Sequence, residues 1–150
     1  KTKSNVKLLI IGEPMWKNED TKNIFQKLKY KNRILFLGRK EIEELTKIAA
    51  SAISLTFVPH FEGFGIPLAE AMYCHTPIIT SNVSCLPEIA GNTAIYAKPN
   101  DVNSIVDAME EMYSNKEKRN ELIGNCKIRK TAFSWDKAAK EVWSVLKQNW

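Results

Sequence analysis

The sequence has few of the residues from which proteins build metal and redox centres. It contains two histidines and three cysteines (Cys74, Cys85 and Cys126) among 150 residues. No two cysteines have CxxC spacing, and HExxH, DxD and Walker P-loop motifs are absent. We therefore expect no protein-bound metal and no cofactor, and we expect reduced thiols in a cytoplasmic protein.

Long hydrophobic runs are also absent, so the sequence predicts no transmembrane helix. The opening residues KTKSNVK lead straight into an apolar run and do not have the form of a signal peptide. Because the chain starts with lysine rather than methionine, we interpret it as a piece of a longer protein. We expect a cytoplasmic location, with the inner face of a membrane as a further option.

Positive charge exceeds negative charge, since 22 Lys and Arg residues stand against 17 Asp and Glu residues and give a net charge of +5. Such a surplus can attract nucleic acid, an anionic membrane or a phosphorylated ligand. The basic runs at 27–33 and 116–130 lack the interleaved aromatic residues of a single-strand binder. We interpret them as solvated helical faces, expect no nucleic-acid partner, and leave peripheral membrane association open.

Short apolar runs alternate with segments of helical periodicity along most of the chain. The predicted strands are 6–11, 34–37, 53–58, 77–81 and 94–97. The predicted helices are 16–29, 41–50, 66–74, 87–90, 102–113, 116–131 and 135–146, the last with Ser134 as its N-cap. Continuous apolar strands imply a parallel sheet covered on both faces. The pattern predicts an α/β, Rossmann-like, doubly wound parallel sheet with C-terminal helices.

Ligands of such folds bind beside the carboxyl ends of the strands, so four loops become candidates: 12–14, 38–40, 59–65 and 81–87. The third belongs to the segment PHFEGFGIPLAEAM, which follows a strand and opens a helix. Gly63 and Gly65 permit a tight turn close to a ligand, and Pro67 suits the first helical position. Free N–H groups at the helix start favour an anion such as a diphosphate.

Two carboxylates flank this loop. Glu62 stands at its entrance, and Glu70 lies eight positions later in a mostly apolar helix that we expect to be buried. A carboxylate in such surroundings is costly unless it is hydrogen-bonded, and a pair of ligand hydroxyls would provide that. The alternative is a structural pairing of the carboxylate with nearby N–H groups or with a lysine.

Glu62 and Glu70, with GFG between them, resemble the E-x7-E signature of retaining glycosyltransferases of the GT-B fold, in the large family called group 1 or family 4. Further segments resemble the family in family order: ILFLG, EGFGIPLAEAM, TPIITSNVSCLPEIAGNTAIYAKPND and FSW. The resemblance covers nearly the whole chain. A dinucleotide-binding GxGxxG does not fit, because Pro67 and Leu68 follow where the third glycine is needed.

The resemblance implies roles for individual residues. Glu70 is expected to accept hydrogen bonds from the ribose hydroxyls of the donor, and Glu62 to lie beside the transferred sugar as the catalytic carboxylate. The backbone N–H groups of Phe64, Gly65 and Ile66 are expected to contact the sugar or the diphosphate. Gly63 of the same loop is also expected to belong to the donor-binding site. A weaker expectation places the nucleobase beside a group of loop residues, namely Gly12, Gly38, Arg39 and Lys40; for Gly12 a plain strand-end turn remains equally open.

Other polar and aromatic residues are expected to be structural. Ser81, Asn82 and the Pro87–Glu88 pair are expected to build a loop and cap a helix, with ligand contact by Glu88 as the lesser option. His60 is expected to be loop structure, and His75 an exposed turn residue. The tail aromatics are expected to pack in the core or between domains, and they are Phe133, Trp135 and Trp143.

The resemblance also implies what lies outside these 150 residues. An N-terminal acceptor domain and the first donor-domain strand, with an Arg/Lys pair for the diphosphate, are expected elsewhere in the protein; Arg39 and Lys40 lie in a different loop from that pair. The isolated piece is therefore expected to bind donor weakly and to be inactive. The substrate would be a nucleotide-diphosphate sugar, and the acceptor a glycan or lipid of the cell envelope.

The rival interpretation is a non-catalytic nucleotide-binding or partner-docking module that kept the fold without the chemistry. The presence of both carboxylates and both loop glycines argues against it, since a decayed site is expected to lose at least one carboxylate.

Overall fold

The computed structural model describes residues 6–13 and 19–148. Pro14, predicted in the first loop, and Trp16, predicted to start the first helix, lie outside these residues. Contacts divide the chain into two compact units, Lys1–Leu45 and Thr46–Trp150. Each unit contains its own parallel sheet.

The first unit contains two parallel strands, β1 (Leu8–Ile11) and β2 (Ile34–Gly38). Helix α1 (Glu19–Lys27) lies between them in sequence and contacts β2 through an edge-to-face pair of Phe25 and Phe36, whose ring centroids are 5.3 Å apart. Helix α2 (Ile42–Ser51) follows β2 and carries the boundary between the units.

The expectation that the first strand is buried is wrong for this structure. Three of the four β1 residues are exposed, and Phe36 of β2 is 60% exposed. The apolar sequence predicts the strand correctly, but burial requires layers on both faces of a sheet. Two strands and a short polar helix supply little such cover within this unit.

The second unit is built on three parallel strands in the order β3–β4–β5, which are Leu55–Phe57, Ile78–Ser81 and Ala94–Ala97. Its helices are α3 (Ile66–Tyr73), α4 (Leu86–Ala90), α5 (Val102–Ser114), α6 (Lys116–Arg129) and α7 (Trp135–Gln148). Strand–helix alternation with parallel pairing confirms the predicted Rossmann-like fold class. The boundaries differ from the predicted ones by two residues or fewer at every strand and helix end in this unit.

Strand β4 has a hydrophobic cluster on each face, as a doubly wound sheet requires. Ile78 lies in the cluster that includes Leu68 and Met72 of α3 and Leu86 of α4. Its neighbour Ile79 lies in the other cluster, with residues of α5 and α6. Because successive strand residues point to opposite faces, two adjacent isoleucines hold helices on both sides.

The last three helices of the second unit, α5, α6 and α7, begin at residues whose side chains cap them. Asp101 accepts hydrogen bonds from the N–H groups of Asn103 and Ser104 at 3.0 and 3.2 Å at the start of α5. Ser134 accepts from the N–H of Lys137 at 3.1 Å, which confirms it as the N-cap of α7. At a helix C-terminus, the guanidinium of Arg129 donates to the carbonyls of Glu88 and Ile89 at the end of α4.

Two expectations about individual side chains are corrected by the structure, one about the tail tryptophans and one about His75. Trp135 is 88% exposed, Trp143 is also exposed, and α7 has no buried residue, so neither tryptophan belongs to the core. Packing against another domain remains a prediction for them. His75 is only half-exposed: it has a left-handed φ of 57°, and its Nε2 lies 2.8 Å from Nζ of Lys130.

All three cysteines are free thiols. Burial raises the pKa of the Cys126 thiol to about 11. Burial also raises the pKa of Cys74, with a further contribution from the Glu70 carboxylate. Both thiols therefore stay protonated near neutral pH, in the less reactive form.

Two buried threonines differ in one respect that can be tested. The hydroxyl of Thr80 in β4 has no hydrogen-bond partner in the described part of the chain, whereas Thr93 donates to the carbonyl of Ala90 at 2.8 Å. Thr80→Val removes an uncompensated hydroxyl and keeps the branched shape, so we expect stabilisation of about 1 kcal/mol. Thr93→Val breaks a bond, so we expect a loss of about 1 kcal/mol.

Melting temperatures of the two variants and the wild type check this expectation. Thr80→Val should melt above the wild type and Thr93→Val below it. Equal shifts in one direction would show that the hydroxyl of Thr80 is not the relevant difference.

Candidate functional site

The segment between β3 and α3 is a tight loop at the carboxyl end of the sheet in the second unit. It ends at Gly65, the N-cap of α3, which has a left-handed φ of 89°. Pro67 lies in the first helical turn, as predicted. A parallel sheet brings the loops that follow its strands to one edge, so this loop lies beside the loop that follows β4.

Gly65 is required by space as well as by backbone conformation. A Cβ atom built there would lie 2.7 Å from Cδ2 of Leu86, which is fully buried in α4. Gly63 differs, because a Cβ atom there would meet nothing within 4 Å. The two predicted loop glycines therefore have different roles. Gly65 permits the start of α3 to pack closely against α4, and Gly63 lies on the open side of the loop, where an added Cβ atom would contact no described part of the protein.

The start of α3 presents unused hydrogen-bond donors. Across residues 6–13 and 19–148, the N–H groups of Phe64, Gly65 and Ile66 donate to no protein acceptor, while Leu68 N–H is satisfied by the Gly65 carbonyl at 2.9 Å. Such N–H groups, together with the positive end of the helix dipole, are suited to an oxygen-rich anion.

The two carboxylates lie where a ligand can reach them. Glu62 is half-buried and Glu70 is exposed. Neither forms an ion pair or a side-chain hydrogen bond with any described residue. The structural alternative, in which the carboxylates pair with N–H groups or a lysine, is therefore not what the structure contains, and α3 has no side-chain cap.

The expectation that α3 is buried holds for one face of the helix only. Leu68, Ala71 and Met72 are buried, but Glu70 and Tyr73 are exposed and Ile66 is 57% exposed. The helix periodicity of 3.6 residues sets the buried residues on one face and the exposed ones on the other. Glu70 thus avoids the desolvation cost expected from the sequence and lies on the solvent side of the helix.

The last residue of β4 and the loop that follows it hold the site loop in place through three side-chain hydrogen bonds. Ser81 Oγ donates to the Pro59 carbonyl at 2.7 Å, as its predicted role in building this region suggests. Ser84 Oγ and Cys85 Sγ both donate to the Glu62 carbonyl, at 2.6 and 3.2 Å. Sequence reasoning did not single out Ser84 and Cys85, since nothing local indicates that their side chains reach a residue more than twenty positions away.

Phe133 packs against the core cluster of Leu68 and Leu86, which confirms its expected core packing, and it also makes contacts beside the site loop that the sequence did not predict. Its ring meets that of Phe64 edge-to-face, with centroids 5.9 Å apart, and the Arg129 guanidinium lies 5.4 Å from the Phe133 centroid. The Phe133 carbonyl accepts from the Tyr73 hydroxyl at 2.5 Å. The segment after α6 therefore supports the loop from the side of Phe64.

The weaker nucleobase candidates belong to the first unit. Gly12 and Gly38 both have left-handed φ values, 108° and 64°, and are joined by a Gly12 N–H to Gly38 carbonyl bond of 2.9 Å. Arg39 is exposed, and Lys40 Nζ lies 3.5 Å from a carboxylate oxygen of Glu44. The structure brings the two glycines together at the neighbouring ends of β1 and β2, and the role of these four residues stays a prediction.

Among the other predicted residues, His60 is exposed, as is Asn82 at the end of β4. Pro87 lies in the first turn of α4 and the Glu88 carbonyl accepts from Arg129, both structural contacts. Within the described ranges no three His, Cys, Asp or Glu side chains are grouped as metal ligands would be, and no helix has the length and apolarity to span a membrane.

Residues 1–129 match the glycosyl transferases group 1 family, and the chain belongs to it. One curated relative is O-antigen chain mannosyltransferase B of Escherichia coli, which is 33% identical over 104 residues covering 69% of this chain and 27% of that protein. The chain thus spans about a quarter of the length of this relative.

Solved structures show the fold. Sucrose-phosphate synthase from Thermosynechococcus elongatus superposes with a TM-score of 0.82 at 24% identity, covering 95% of this chain and 38% of that one. Anabaena HepE, solved in complex with UDP-glucose, gives 0.81 at 20% identity over 95% of this chain and 41% of that one. These likenesses confirm the predicted GT-B type of Rossmann-like fold, and the assignment of the chain to the C-terminal half of that fold stays a prediction.

The two loop glycines provide a matched test of the site's construction. Gly65→Ala places a Cβ against Leu86 in a backbone conformation that costs an L-residue about 1–2 kcal/mol, and overpacking adds about 1–3 kcal/mol. Gly63→Ala fills open space, so its effect should stay within about 0.5 kcal/mol. Melting temperatures should fall clearly for Gly65→Ala alone. A comparable fall for Gly63→Ala would contradict the different roles of the two glycines.

Proposed function

We propose that this chain is the donor-binding domain of a retaining glycosyltransferase that transfers a sugar from a nucleotide-diphosphate sugar to a glycan or lipid acceptor. One observation carries the proposal. The side-chain carboxylates of Glu62 and Glu70 form no hydrogen bond or ion pair with any described residue, and they flank a helix start whose N–H groups are also unused. Membership of the glycosyl transferases group 1 family supports it.

The chemistry of the loop fits the parts of such a donor. Negative phosphate oxygens suit the N–H groups of Phe64, Gly65 and Ile66 at the positive end of α3. Glu70, on the exposed face of α3, suits a vicinal pair of ribose hydroxyls, because a carboxylate can accept two hydrogen bonds at once. Glu62, on the opposite side of the loop glycines, suits the transferred sugar.

The proposed reaction is a front-face displacement. The acceptor hydroxyl oxygen forms a bond to the anomeric carbon of the sugar, while the bond from that carbon to the diphosphate oxygen breaks. The departing phosphate takes the hydroxyl proton, so both partners act on one face and the configuration is retained. Charge that develops on the leaving diphosphate is stabilised by the main-chain N–H groups, and no metal held by this chain takes part.

The substrate class is proposed from a relative. The name of the relative O-antigen chain mannosyltransferase B specifies mannose as the transferred sugar and the O-antigen chain, a cell-envelope polysaccharide, as the product. We therefore propose that the transferred sugar is a hexose, with mannose as the first candidate, and that the product is a cell-envelope glycan. The acceptor would bind to a part of the protein outside this chain, and the site would work at the cytoplasmic side of the membrane.

Donor titration of the full-length protein tests the proposal. Calorimetry with GDP-mannose, UDP-glucose and ADP-glucose, and with GDP, UDP and ADP, should reveal preferential binding of one base. Glu70→Gln removes the charge that the ribose hydroxyls are proposed to bond, so the dissociation constant should rise about 10- to 100-fold. Glu110→Gln, at an exposed position of α5, is the matched control and should change little.

Three results would weigh against the proposal. Equal effects of the Glu70 and Glu110 variants would remove Glu70 from the donor site. Binding of the nucleotide without any transfer or donor turnover would favour the non-catalytic module. A full-length protein that binds none of the six ligands would rule out the nucleotide-sugar site altogether.

A further inference from the structure

The carbonyl oxygen of Glu62 is held by two side chains from another loop. Ser84 Oγ donates to it at 2.6 Å and Cys85 Sγ at 3.2 Å. Both donors lie in the segment between β4 and α4, 22 and 23 positions further along the chain. The residue proposed to lie beside the transferred sugar is therefore fixed through its backbone.

Ser84 adopts a backbone conformation that serine rarely takes. Its φ is 57°, in the left-handed region, where a side chain costs energy and glycine does not. Its side chain is exposed, so burial of the residue does not explain the strain. The left-handed turn directs the hydroxyl to the Glu62 carbonyl, and strain held by the surrounding structure is characteristic of functional sites.

We refer to Ser84 and Cys85, whose side chains hold the Glu62 carbonyl, as the clamp. The clamp adjoins the start of α4, which is fixed by hydrogen bonding and packing. Cys85 is the N-cap of α4, and its own carbonyl accepts from the Ile89 N–H at 3.0 Å. The next residue, Leu86, is fully buried and lies against Gly65 at the far end of the site loop. Ser81 fastens the near end by donating to the Pro59 carbonyl. The site loop is thus held at three residues, which are Pro59, Glu62 and Gly65.

The peptide between Glu62 and Gly63 is the point at which such a hold has the largest effect. Gly63 is the most permissive residue type for backbone rotation, and a Cβ atom there would meet nothing within 4 Å. No side chain at position 63 therefore restrains the backbone bond that follows this peptide. The carbonyl is instead held by the two donors, and rotation about either backbone bond next to the peptide would change the orientation of the Glu62 side chain relative to the N–H groups that follow.

We infer that Ser84 and Cys85 are positioning residues, which hold the Glu62–Gly63 peptide so that Glu62 and the start of α3 face the donor together. This inference rests on the proposed function, since it assigns the clamp to the same donor site. Neither residue is expected to touch the donor. They act through the Glu62 carbonyl.

The test is donor affinity of full-length variants, measured by calorimetry with GDP-mannose, UDP-glucose and ADP-glucose. Ser84→Ala and Ser84→Gly both remove the hydroxyl, so each should weaken binding of the preferred donor by roughly tenfold. Ser84→Gly also relieves the left-handed strain, so it should melt above Ser84→Ala and no lower than the wild type. Loss of affinity without loss of stability separates a positioning role from a merely structural one.

Cys85 offers a rescue experiment. Cys85→Ala removes the second donor and should weaken binding, whereas Cys85→Ser keeps a donor and should lose less. Ser114→Ala is the matched control, because Ser114 Oγ also donates to a carbonyl, that of Glu110 at 2.7 Å, but within its own helix. This control should leave donor affinity unchanged.

The outcomes are distinct for the two proposals. If the wild type binds a donor and Ser84→Gly binds it equally well, the clamp is not a positioning device and the inference is overturned while the proposed function stands. Parallel losses of affinity and melting temperature in every Ser84 and Cys85 variant would also overturn it. If the wild type binds none of the three donors, the proposed function fails and the inference fails with it.

Discussion

Strand β4 is the constraint on which the second unit depends. All four of its residues are buried, and it pairs in parallel with β3 on one side and β5 on the other. Its adjacent isoleucines anchor helices on opposite faces. A strand surrounded in this way cannot slip by one residue, because a slip would exchange its two faces. The ends of β3 and β4 are therefore fixed beside each other, and the two loops that form the candidate site start from fixed points.

From this frame the site loop is assembled by few contacts. Gly65 brings α3 against Leu86, and three side-chain hydrogen bonds connect the loop to the last residue of β4 and to the segment after it. The protein satisfies the Pro59 and Glu62 carbonyls of the loop, whereas within the described ranges the N–H groups of Phe64, Gly65 and Ile66 and the two carboxylates have no hydrogen-bond partner. Preorganised donors and acceptors of this kind can meet a charged ligand without first reorganising.

The sequence predicts the elements well because each depends on local pattern. Apolar runs that end at glycine or proline mark the strands, and Ser134 marks a helix start through its capping chemistry. The site loop is also predictable, since Gly65 and Pro67 are residues that a strand-to-helix turn needs. Burial was harder to predict. The composition of α3 is apolar apart from Glu70, so its exposed face is visible only once the helix packs on the sheet. The exposure of β1 and α7 likewise depends on what covers them.

The contacts of Ser84, Cys85 and Phe133 could not be predicted, because they join residues distant in sequence and one of them depends on a left-handed backbone. That distance has a kinetic meaning. Loops closed by non-local contacts form after the elements that bring their ends together. The Glu62 carbonyl meets its donors only when β3 and β4 have paired, and Phe64 meets Phe133 only when α6 has docked. The loop from Pro59 to Gly65 is then among the last parts of the domain to take shape.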